Sequence, residues 1–304
     1  MQAPNWRGVY PAVTTQMNED GSLDLDATQR GVERMIDGGA SGLVMMGMVG
    51  ENSTLDRAEK HAVLRAGLEA AGGRVPVLSG VAECSRAAAL SYVREAESIG
   101  AHGLMVFPVL GYKSDADETV AHYRAVAQAS ALPILIYNNP VGYGVDVTPE
   151  VLERLADCPT LAAIKEESYD VRRVTDIRHR VGERFAVVCG VDDLLLESAV
   201  LGAAGWVSGM ANVYPAECAR LLQLAARGEF QRALPLYRAL TPLFHLDTKV
   251  KLVQYIKLAG QCRGLGREWV RAPRLPLAGA ERTMVERLVA ETDTMLDALA
   301  AHLD

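Results

Sequence analysis

Short apolar stretches recur along the chain, and the segments between them are long enough for a helix and two loops. Eight stretches begin about 20 to 35 residues apart. They are Val9–Thr15, Leu43–Met46, Val75–Ser79, Leu104–Phe107, Ile134–Tyr137, Leu161–Lys165, Ala186–Cys189 and Trp206–Ser208. Strands that are apolar on both faces are typical of a parallel sheet covered by helices. The pattern therefore predicts eight buried parallel strands.

The intervening segments predict helices between these strands. In Asp24–Asp37, four apolar residues can share one face while charged residues lie elsewhere. Asp56 is suited to cap a second helix, and Pro149 stands at the first position of another. Eight strand–helix units within residues 1–228 match the size of a (β/α)8 TIM barrel, so we predict this α/β fold.

Beyond Gly228 the pattern predicts helices and no further strand. The predicted helices are Glu229–Leu246, Thr248–Ala259 and Gly279–Leu303. We therefore divide the chain into a catalytic barrel, residues 1–228, and a C-terminal three-helix extension, residues 229–304. A doubly wound open sheet is the competing fold, but such a sheet usually carries a glycine fingerprint after its first strand. Residues 16–21 contain no such fingerprint.

The composition of the 304 residues is that of a soluble globular protein, with 49% hydrophobic and 23% charged residues. The net charge is −7 and no basic cluster is present, which argues against a nucleic-acid partner. No apolar run is long enough to span a membrane, and the first residues lack the pattern of a signal segment. Five widely spaced cysteines without a CxxC pair predict free thiols in a reducing cytoplasm.

The sequence contains no recognisable cofactor motif. Neither GxGxxG nor the phosphate-binding GxxxxGK[ST] loop is present, and the six histidines lack the spacing of metal ligands. The acidic pairs Glu166–Glu167 and Asp192–Asp193 could hold Mg²⁺, but neighbouring residues on a strand point to opposite faces. We expect Asp192–Asp193 to cap the following helix instead. We predict no metal and no cofactor.

Lys165 is the most informative residue for the chemistry. Ligands of barrel enzymes bind at the carboxyl ends of the strands, and Lys165 alone among six lysines ends a predicted strand. Burial inside a barrel should lower the pKa of its ammonium group and leave part of it as a free amine. A free amine can attack a carbonyl or imine carbon to form a Schiff base. The alternative is a structural ion pair with Glu166, Glu167 or another barrel carboxylate.

Two other strand ends could assist this lysine. Tyr137 ends the preceding strand, and its phenol could transfer a proton or hydrogen-bond a substrate oxygen. Alternatively, Tyr137 is an ordinary aromatic layer residue of the barrel. The Gly47-Met48-Val49-Gly50 turn follows the second strand, and its backbone N–H groups could bind a carboxylate. Its glycines could equally serve only the geometry of a tight turn.

Together these strand ends resemble a known family. Gly47-Met48-Val49-Gly50-Glu51 after strand 2, Tyr137-Asn138-Asn139-Pro140 at the end of strand 5 and Lys165 at the end of strand 6 resemble the dihydrodipicolinate synthase / N-acetylneuraminate lyase family. Its members are class I, Schiff-base-forming barrels with a C-terminal helical extension, commonly homotetramers built as pairs of dimers. The resemblance covers essentially the whole chain.

The resemblance implies a role for each strand end. Lys165 would be the Schiff-base lysine and Tyr137 its proton-relay partner. The substrate carboxylate would lie in the turn of Gly47, Met48, Val49 and Gly50, and the other substrate-binding residues would be Asn139, Gly190, Val207 and Ser208. We accordingly expect a small keto or imino acid as substrate and a homo-oligomer, a tetramer or a dimer.

Three departures from the family pattern argue against dihydrodipicolinate synthesis. Synthase members carry two threonines where this chain has Met48 and Val49, so a hydroxyl relay is lost. They also have an arginine that grips a second carboxylate where this chain has Gly142. The paired tyrosines expected after strand 4 are replaced by Val109-Leu110. Tyr112, displaced from that position, is the candidate for a contribution from a neighbouring subunit.

Four stretches are similar to the subgroup that deaminates Δ1-pyrroline-4-hydroxy-2-carboxylate in bacterial hydroxyproline breakdown. They are Asn5–Gln16, Val49–Asn52, Tyr137–Pro140 and Trp206–Asn212. This resemblance implies a deaminating dehydratase, in which Lys165 adds to the C=N carbon of the cyclic imine and Tyr137 removes a proton from C3. The C4 hydroxyl then leaves as water, and the resulting enamine tautomerises and is hydrolysed, which releases ammonia and 2,5-dioxopentanoate. Tyr143, Ser208 or a water molecule could assist the departing hydroxyl.

Other interpretations stay open. A 2-keto-3-deoxy sugar acid dehydratase or aldolase would use the same Lys165 and Tyr137 on a longer substrate. A non-catalytic keto-acid-binding barrel or a metal-dependent barrel enzyme belongs to a different class. Borohydride trapping of a Schiff base on Lys165 distinguishes the first group from the second.

Overall fold

Eight parallel strands form a nearly closed barrel, which confirms the predicted (β/α)8 fold. The structure, a computed structural model, describes residues 3–303. The strands are β1 (Gly8–Pro11), β2 (Leu43–Met45), β3 (Val77–Val81), β4 (Gly103–Val106), β5 (Ile134–Asn138), β6 (Leu161–Glu166), β7 (Ala186–Cys189) and β8 (Gly205–Ser208). They pair in the order β1-β8-β7-β6-β5-β4-β3-β2. A parallel bridge between Ala12 and Val44 joins the chain after β1 to β2.

Helices cover the outside of this barrel. They are α1 (Leu25–Asp37), α2 (Arg57–Ala71), α3 (Arg86–Ile99), α4 (Ala116–Ala129), α5 (Pro140–Tyr143), α6 (Pro149–Arg154), α7 (Arg172–Val181), α8 (Leu195–Val200) and α9 (Pro215–Ala226). Asp56 caps α2 as predicted, because its carboxylate accepts the Glu59 N–H at 2.8 Å while the Glu59 carboxylate accepts the Asp56 N–H at 3.0 Å. No helix within residues 3–303 combines the length and apolar character needed to cross a bilayer.

Neighbouring residues of β2 to β6 pack into two separate apolar cores. Val44 and Leu135 belong to a cluster inside the barrel, whereas Leu43 and Ile136 belong to a second cluster beneath the surrounding helices. A strand with apolar side chains on both faces can fill both clusters at once. The same alternation directs Lys165 into the barrel, because it lies two residues after the inner residue Ala163.

Three helices follow the barrel, as predicted, and they share its inner core. They are α10 (Phe230–Phe244), α11 (Leu252–Cys262) and α12 (Gly279–Leu303). Phe244 of α10 packs edge-on against Trp206 of β8, with ring centroids 5.5 Å apart. The predicted division of the chain after residue 228 stays a prediction, since one apolar cluster runs from the strands into these helices.

A buried ion pair joins α11 to the loop after β2. The Lys257 ammonium nitrogen lies 2.5 Å from Glu51 Oε1, and neither side chain has any exposed area. The same nitrogen donates to the Trp269 carbonyl oxygen at 2.7 Å, and Glu51 Oε2 accepts the Arg271 N–H at 3.0 Å. These contacts hold the C-terminal extension against the segment that directly follows the Gly47–Gly50 turn.

We expect Lys257→Met to lower the free energy of unfolding by about 3 kcal/mol, because Glu51 would keep a buried charge whose remaining ion-pair partner, Arg274, lies 3.6 Å away. Urea unfolding followed by circular dichroism measures the change. Lys251→Met is the matched control, since Lys251 and Glu281 form a pair of the same 2.5 Å length whose side chains are 47% and 32% exposed. Removing that exposed pair should change stability by about 1 kcal/mol or less, and equal losses in both variants would contradict the prediction.

Candidate active site

A narrow cavity opens at the carboxyl ends of the strands, where barrel enzymes bind their ligands. Its volume of about 20 Å³ has room for a single water molecule. Seven of the residues predicted from the sequence line it: Gly47, Met48, Val49, Tyr137, Lys165, Gly190 and Val207. The structure adds six that were not predicted as binding residues: Ala12, Met105, Glu167, Gly209, Asp247 and Leu252.

Lys165 reaches this cavity from the end of β6. It pairs in register with Tyr137 of β5, and its ammonium nitrogen lies 4.1 Å from the centroid of the Tyr137 ring. The predicted proximity of these two side chains is therefore present, although the nitrogen contacts the ring face. Gly190 makes room for the lysine, because a Cβ at that position would lie 2.9 Å from Lys165 Cε.

Glu167 forms an ion pair with Lys165 inside the cavity. The Lys165 nitrogen lies 2.6 Å from Glu167 Oε2, and the two side chains are 9% and 5% exposed. Burial lowers the pKa of the Lys165 ammonium, but the charges of Glu167 and Asp247 outweigh burial, so the pKa is raised. The sequence-based expectation of a lowered pKa is thus wrong for the empty site, because it considered burial without these carboxylates.

Asn139 connects the catalytic candidates from outside the cavity lining. Its amide nitrogen donates to the Tyr137 hydroxyl at 3.2 Å and to Glu167 Oε1 at 2.9 Å. Its amide oxygen accepts the Gly142 N–H at 2.7 Å, which fixes the orientation of the amide group. Burial and the Glu167 charge raise the pKa of Tyr137 well above its ordinary value. The phenol is therefore neutral at physiological pH and suited to donate a hydrogen bond.

Asp247, between α10 and α11, brings a second carboxyl group to the cavity. Its Oδ2 accepts the Asp192 N–H at 3.1 Å. Burial and the charges of Asp192 and Glu167 raise the pKa of the Asp247 carboxyl well above its usual range. Sequence reasoning missed this residue, because it lies between two helices of the extension and far along the chain from any strand.

Asp192 holds the loop after β8 and does not cap the following helix as expected. Its carboxylate accepts the Trp206 indole N–H and the Met210 N–H, both at 2.9 Å. Burial raises its pKa from 3.8 to about 6. Capping was inferred from sequence proximity, whereas the available donors come from the neighbouring strand and the loop that follows it.

The Gly47–Gly50 turn offers backbone donors beside the lysine. Within residues 3–303, the N–H groups of Met48, Val49 and Gly50 have no hydrogen-bond acceptor. Gly50 is required by close packing, since a Cβ there would lie 2.9 Å from the Val13 carbonyl oxygen. Met48 and Val49 of this turn line the cavity, so their N–H groups are candidates to bind a carboxylate there.

Other predicted residues lie away from the cavity. Ser208 is buried and accepts the Ala211 N–H at 3.0 Å. Tyr112 is 57% exposed and donates to the Glu118 carboxylate, so it does not contact this site in its own chain. Its contribution to a neighbouring subunit stays a prediction. Within residues 3–303, no three His, Cys, Asp or Glu side chains are grouped to hold a metal ion.

Comparison with known proteins identifies close similarity along the whole chain. The sequence profile of the dihydrodipicolinate synthetase family matches residues 5–292. The 4-hydroxy-tetrahydrodipicolinate synthase of Sphingopyxis alaskensis is 36% identical over 294 residues, covering 93% of this chain and 97% of that protein. The solved structure of the same enzyme from Methylacidiphilum fumariolicum SolV has a TM-score of 0.93 at 28% identity, covering 97% of this chain and 98% of that one.

A second solved structure includes a ligand. The chloride-inhibited dihydrodipicolinate synthase of Acinetobacter baumannii, complexed with pyruvate, has a TM-score of 0.90 at 27% identity. It covers 95% of this chain and 99% of that one. The resemblance inferred from the strand ends is confirmed at the level of the family, and so is the expectation of a lyase.

The interpretation as a hydroxyproline-pathway deaminase is wrong. Relatives that are 31 to 36% identical over 90 to 94% of the chain are named as 4-hydroxy-tetrahydrodipicolinate synthases. The stretches behind that interpretation mostly build the barrel: within Asn5–Gln16 only Ala12 lines the cavity, and within Trp206–Asn212 only Val207 and Gly209 do. Similarity in such stretches therefore indicates a shared fold and does not identify the substrate.

The raised pKa of Asp247 predicts a specific dependence of stability on pH. The folded state retains the carboxyl proton to higher pH than the unfolded state, so its contribution is full below the ordinary carboxyl pKa and is lost as pH rises through the raised value. In Asp247→Asn, stability should therefore fall less between pH 5 and 8 than in the wild type. Urea unfolding at several pH values measures this slope, and an identical slope in both proteins would show that Asp247 titrates normally.

Proposed function

This chain belongs to the dihydrodipicolinate synthetase family, and from that premise we propose that it is a Schiff-base lyase acting on a 2-oxo acid of the pyruvate class. One observation carries the proposal: Lys165 lies in the strand-end cavity with a carboxylate 2.6 Å from its ammonium nitrogen. A lysine there can bond to a carbonyl carbon once its proton has moved to an acceptor.

The cavity suits a 2-oxo acid at both of its functional groups. The substrate carboxylate would accept the free N–H groups of the Gly47–Gly50 turn, while its C2 carbon faces Lys165. The Schiff base would withdraw electrons from C2, so that C3 can lose a proton and become an enamine carbon. In the synthase direction, this carbon then attacks the carbonyl carbon of an aldehyde and forms a carbon–carbon bond.

Two reactions are candidates for the step that follows formation of the Schiff base. The names of the relatives favour condensation of pyruvate with an aldehyde, giving 4-hydroxy-tetrahydrodipicolinate. The side chains favour a different partner, because the charge of Lys165 is already paired with the Glu167 carboxylate and no other cationic side chain is among the described lining residues. Carboxylates accept hydrogen bonds from hydroxyl groups and repel a second carboxylate. A 2-keto-3-deoxy sugar acid aldolase or dehydratase is therefore the second candidate.

A homo-oligomer is part of the same proposal, as members of this family are typically homotetramers or dimers. One solved neighbour is described as a monomeric dihydrodipicolinate synthase variant, with a TM-score of 0.90 at 26% identity. Tyr112, exposed on the loop after β4, is the residue we assign to the subunit contact. The cytoplasmic location stays a prediction from cysteine usage.

We expect borohydride reduction in the presence of pyruvate to attach the reduced three-carbon unit to Lys165. Mass spectrometry of the intact chain and of its peptides identifies the adduct and the modified residue. Lys165→Arg is the matched variant, because it keeps the positive charge beside Glu167 and cannot form the Schiff base. A wild-type chain that stays unmodified would refute the proposal, and so would an adduct confined to another lysine.

A second assay separates the two candidate reactions. Pyruvate and the aldehyde partner of the synthase reaction are supplied in one arm, and 2-keto-3-deoxy sugar acids in the other. Net consumption of pyruvate in the first arm is expected for a synthase. Release of pyruvate, or loss of water without carbon–carbon cleavage, is expected in the second arm for an aldolase or a dehydratase, respectively. Failure in both arms despite a Lys165 adduct would exclude both substrates while keeping the Schiff base.

A further inference from the structure

Glu167 is a buried carboxylate with one oxygen bound to Asn139 and the other facing Lys165. Oε1 accepts the Asn139 amide N–H at 2.9 Å, which fixes the carboxylate plane. Oε2 faces the Lys165 nitrogen at 2.6 Å and has no hydrogen bond of good geometry within the described chain. An oxygen held this close to an ammonium group, in a cavity with room for a single water molecule, is placed to accept its proton.

We propose that Glu167 activates Lys165 and shuttles the protons of Schiff-base formation between the lysine nitrogen and the departing substrate oxygen. The inference rests on the proposed function, because it concerns the bond that Lys165 forms with the 2-oxo acid. Glu167 is thereby a catalytic residue for formation of the Schiff base.

The proton movements balance without any further reagent. Glu167 first takes a proton from the Lys165 ammonium, and the free amine bonds to C2 while the C=O π electrons move to oxygen. Glu167 returns its proton to that oxygen and takes another from the nitrogen. It gives this second proton to the same oxygen as the C2–O bond breaks. One water leaves, the protonated Schiff base remains, and Glu167 is again a carboxylate.

The neighbouring groups are less suited to this shuttle. Tyr137 presents its ring face to the lysine nitrogen, and its hydroxyl accepts the Asn139 amide hydrogen bond. Its raised pKa makes it a weak acid, and hence a poor partner for repeated proton exchange near neutral pH. Asp247 Oδ2 is already occupied by the Asp192 N–H. Among the described residues, only Glu167 has a carboxylate oxygen within hydrogen-bond distance of the lysine nitrogen.

The variant Glu167→Gln distinguishes a proton shuttle from a purely structural ion pair, because the two roles predict opposite changes in the rate of pyruvate trapping. Glu167 raises the pKa of Lys165, so Glu167→Gln leaves more free amine at pH 7. If Glu167 only held the ammonium in place, this variant would trap pyruvate faster than the wild type. If Glu167 shuttles protons, the variant should trap it about 100-fold more slowly, in the usual range for loss of a positioned proton-transfer group.

The experiment measures the initial rate of borohydride-trapped adduct on Lys165 at a fixed pyruvate concentration from pH 6 to 9. We expect slow trapping by Glu167→Gln across the whole range, the same final adduct mass, and partial recovery in Glu167→Ala when formate is added as a small carboxylate. Glu167→Asp should retain more activity than Glu167→Gln. A rate for Glu167→Gln equal to or above that of the wild type would overturn the inference.

Glu166→Gln is the matched control, because it removes the same charge from the adjacent position. Glu166 is also buried, but its carboxylate accepts from Asn138 at 2.9 Å and from the Ser168 N–H at 2.8 Å, outside the cavity. It should trap pyruvate at the wild-type rate. If Glu166→Gln is equally slow, the effect is a general loss of charge or packing, and the assignment to Glu167 fails. Absence of any wild-type adduct would instead count against the proposed function.

Discussion

The contact between Lys165 and Glu167 is the constraint on which the site depends. A lysine cannot be placed inside an apolar barrel without a partner, because an isolated buried charge is strongly disfavoured. The Glu167 carboxylate, 2.6 Å from the Lys165 nitrogen, supplies this partner. It also favours the protonated form of the lysine while the site is empty. An ion pair of this kind can be purely structural, but here both of its side chains line the cavity where the substrate would bind.

The C-terminal extension contributes directly to the chemistry of this barrel. Asp247 comes from the connection between α10 and α11, and Lys257 of α11 is buried against Glu51 just after the Gly47–Gly50 turn. The helices therefore supply one wall of the cavity and hold the loop that would bind the substrate carboxylate. Separating a barrel domain from an extension is useful for describing the chain, but the site needs both.

The fold could be predicted because the strands are apolar along their length, and β2 to β6 pack side chains into two cores. Lys165 was found for the same reason, since a charge at the end of such a strand needs an explanation. Glu167 could also be predicted, because residues two apart on an extended segment share a face and Glu167 lies two residues after Lys165. Asp247 could not, since no pattern along the chain indicates which loop of the extension folds over the barrel. Substrate identity was assigned wrongly, because most of the residues behind it form the scaffold.

The cavity beside Lys165 holds little more than one water molecule, and this small size has a consequence for affinity. A three-carbon acid is larger than this space, so its binding requires the side chains that line the cavity, among them Met48 and Leu252, to rearrange. The free energy of that rearrangement is subtracted from the affinity that the contacts of the bound acid would otherwise give.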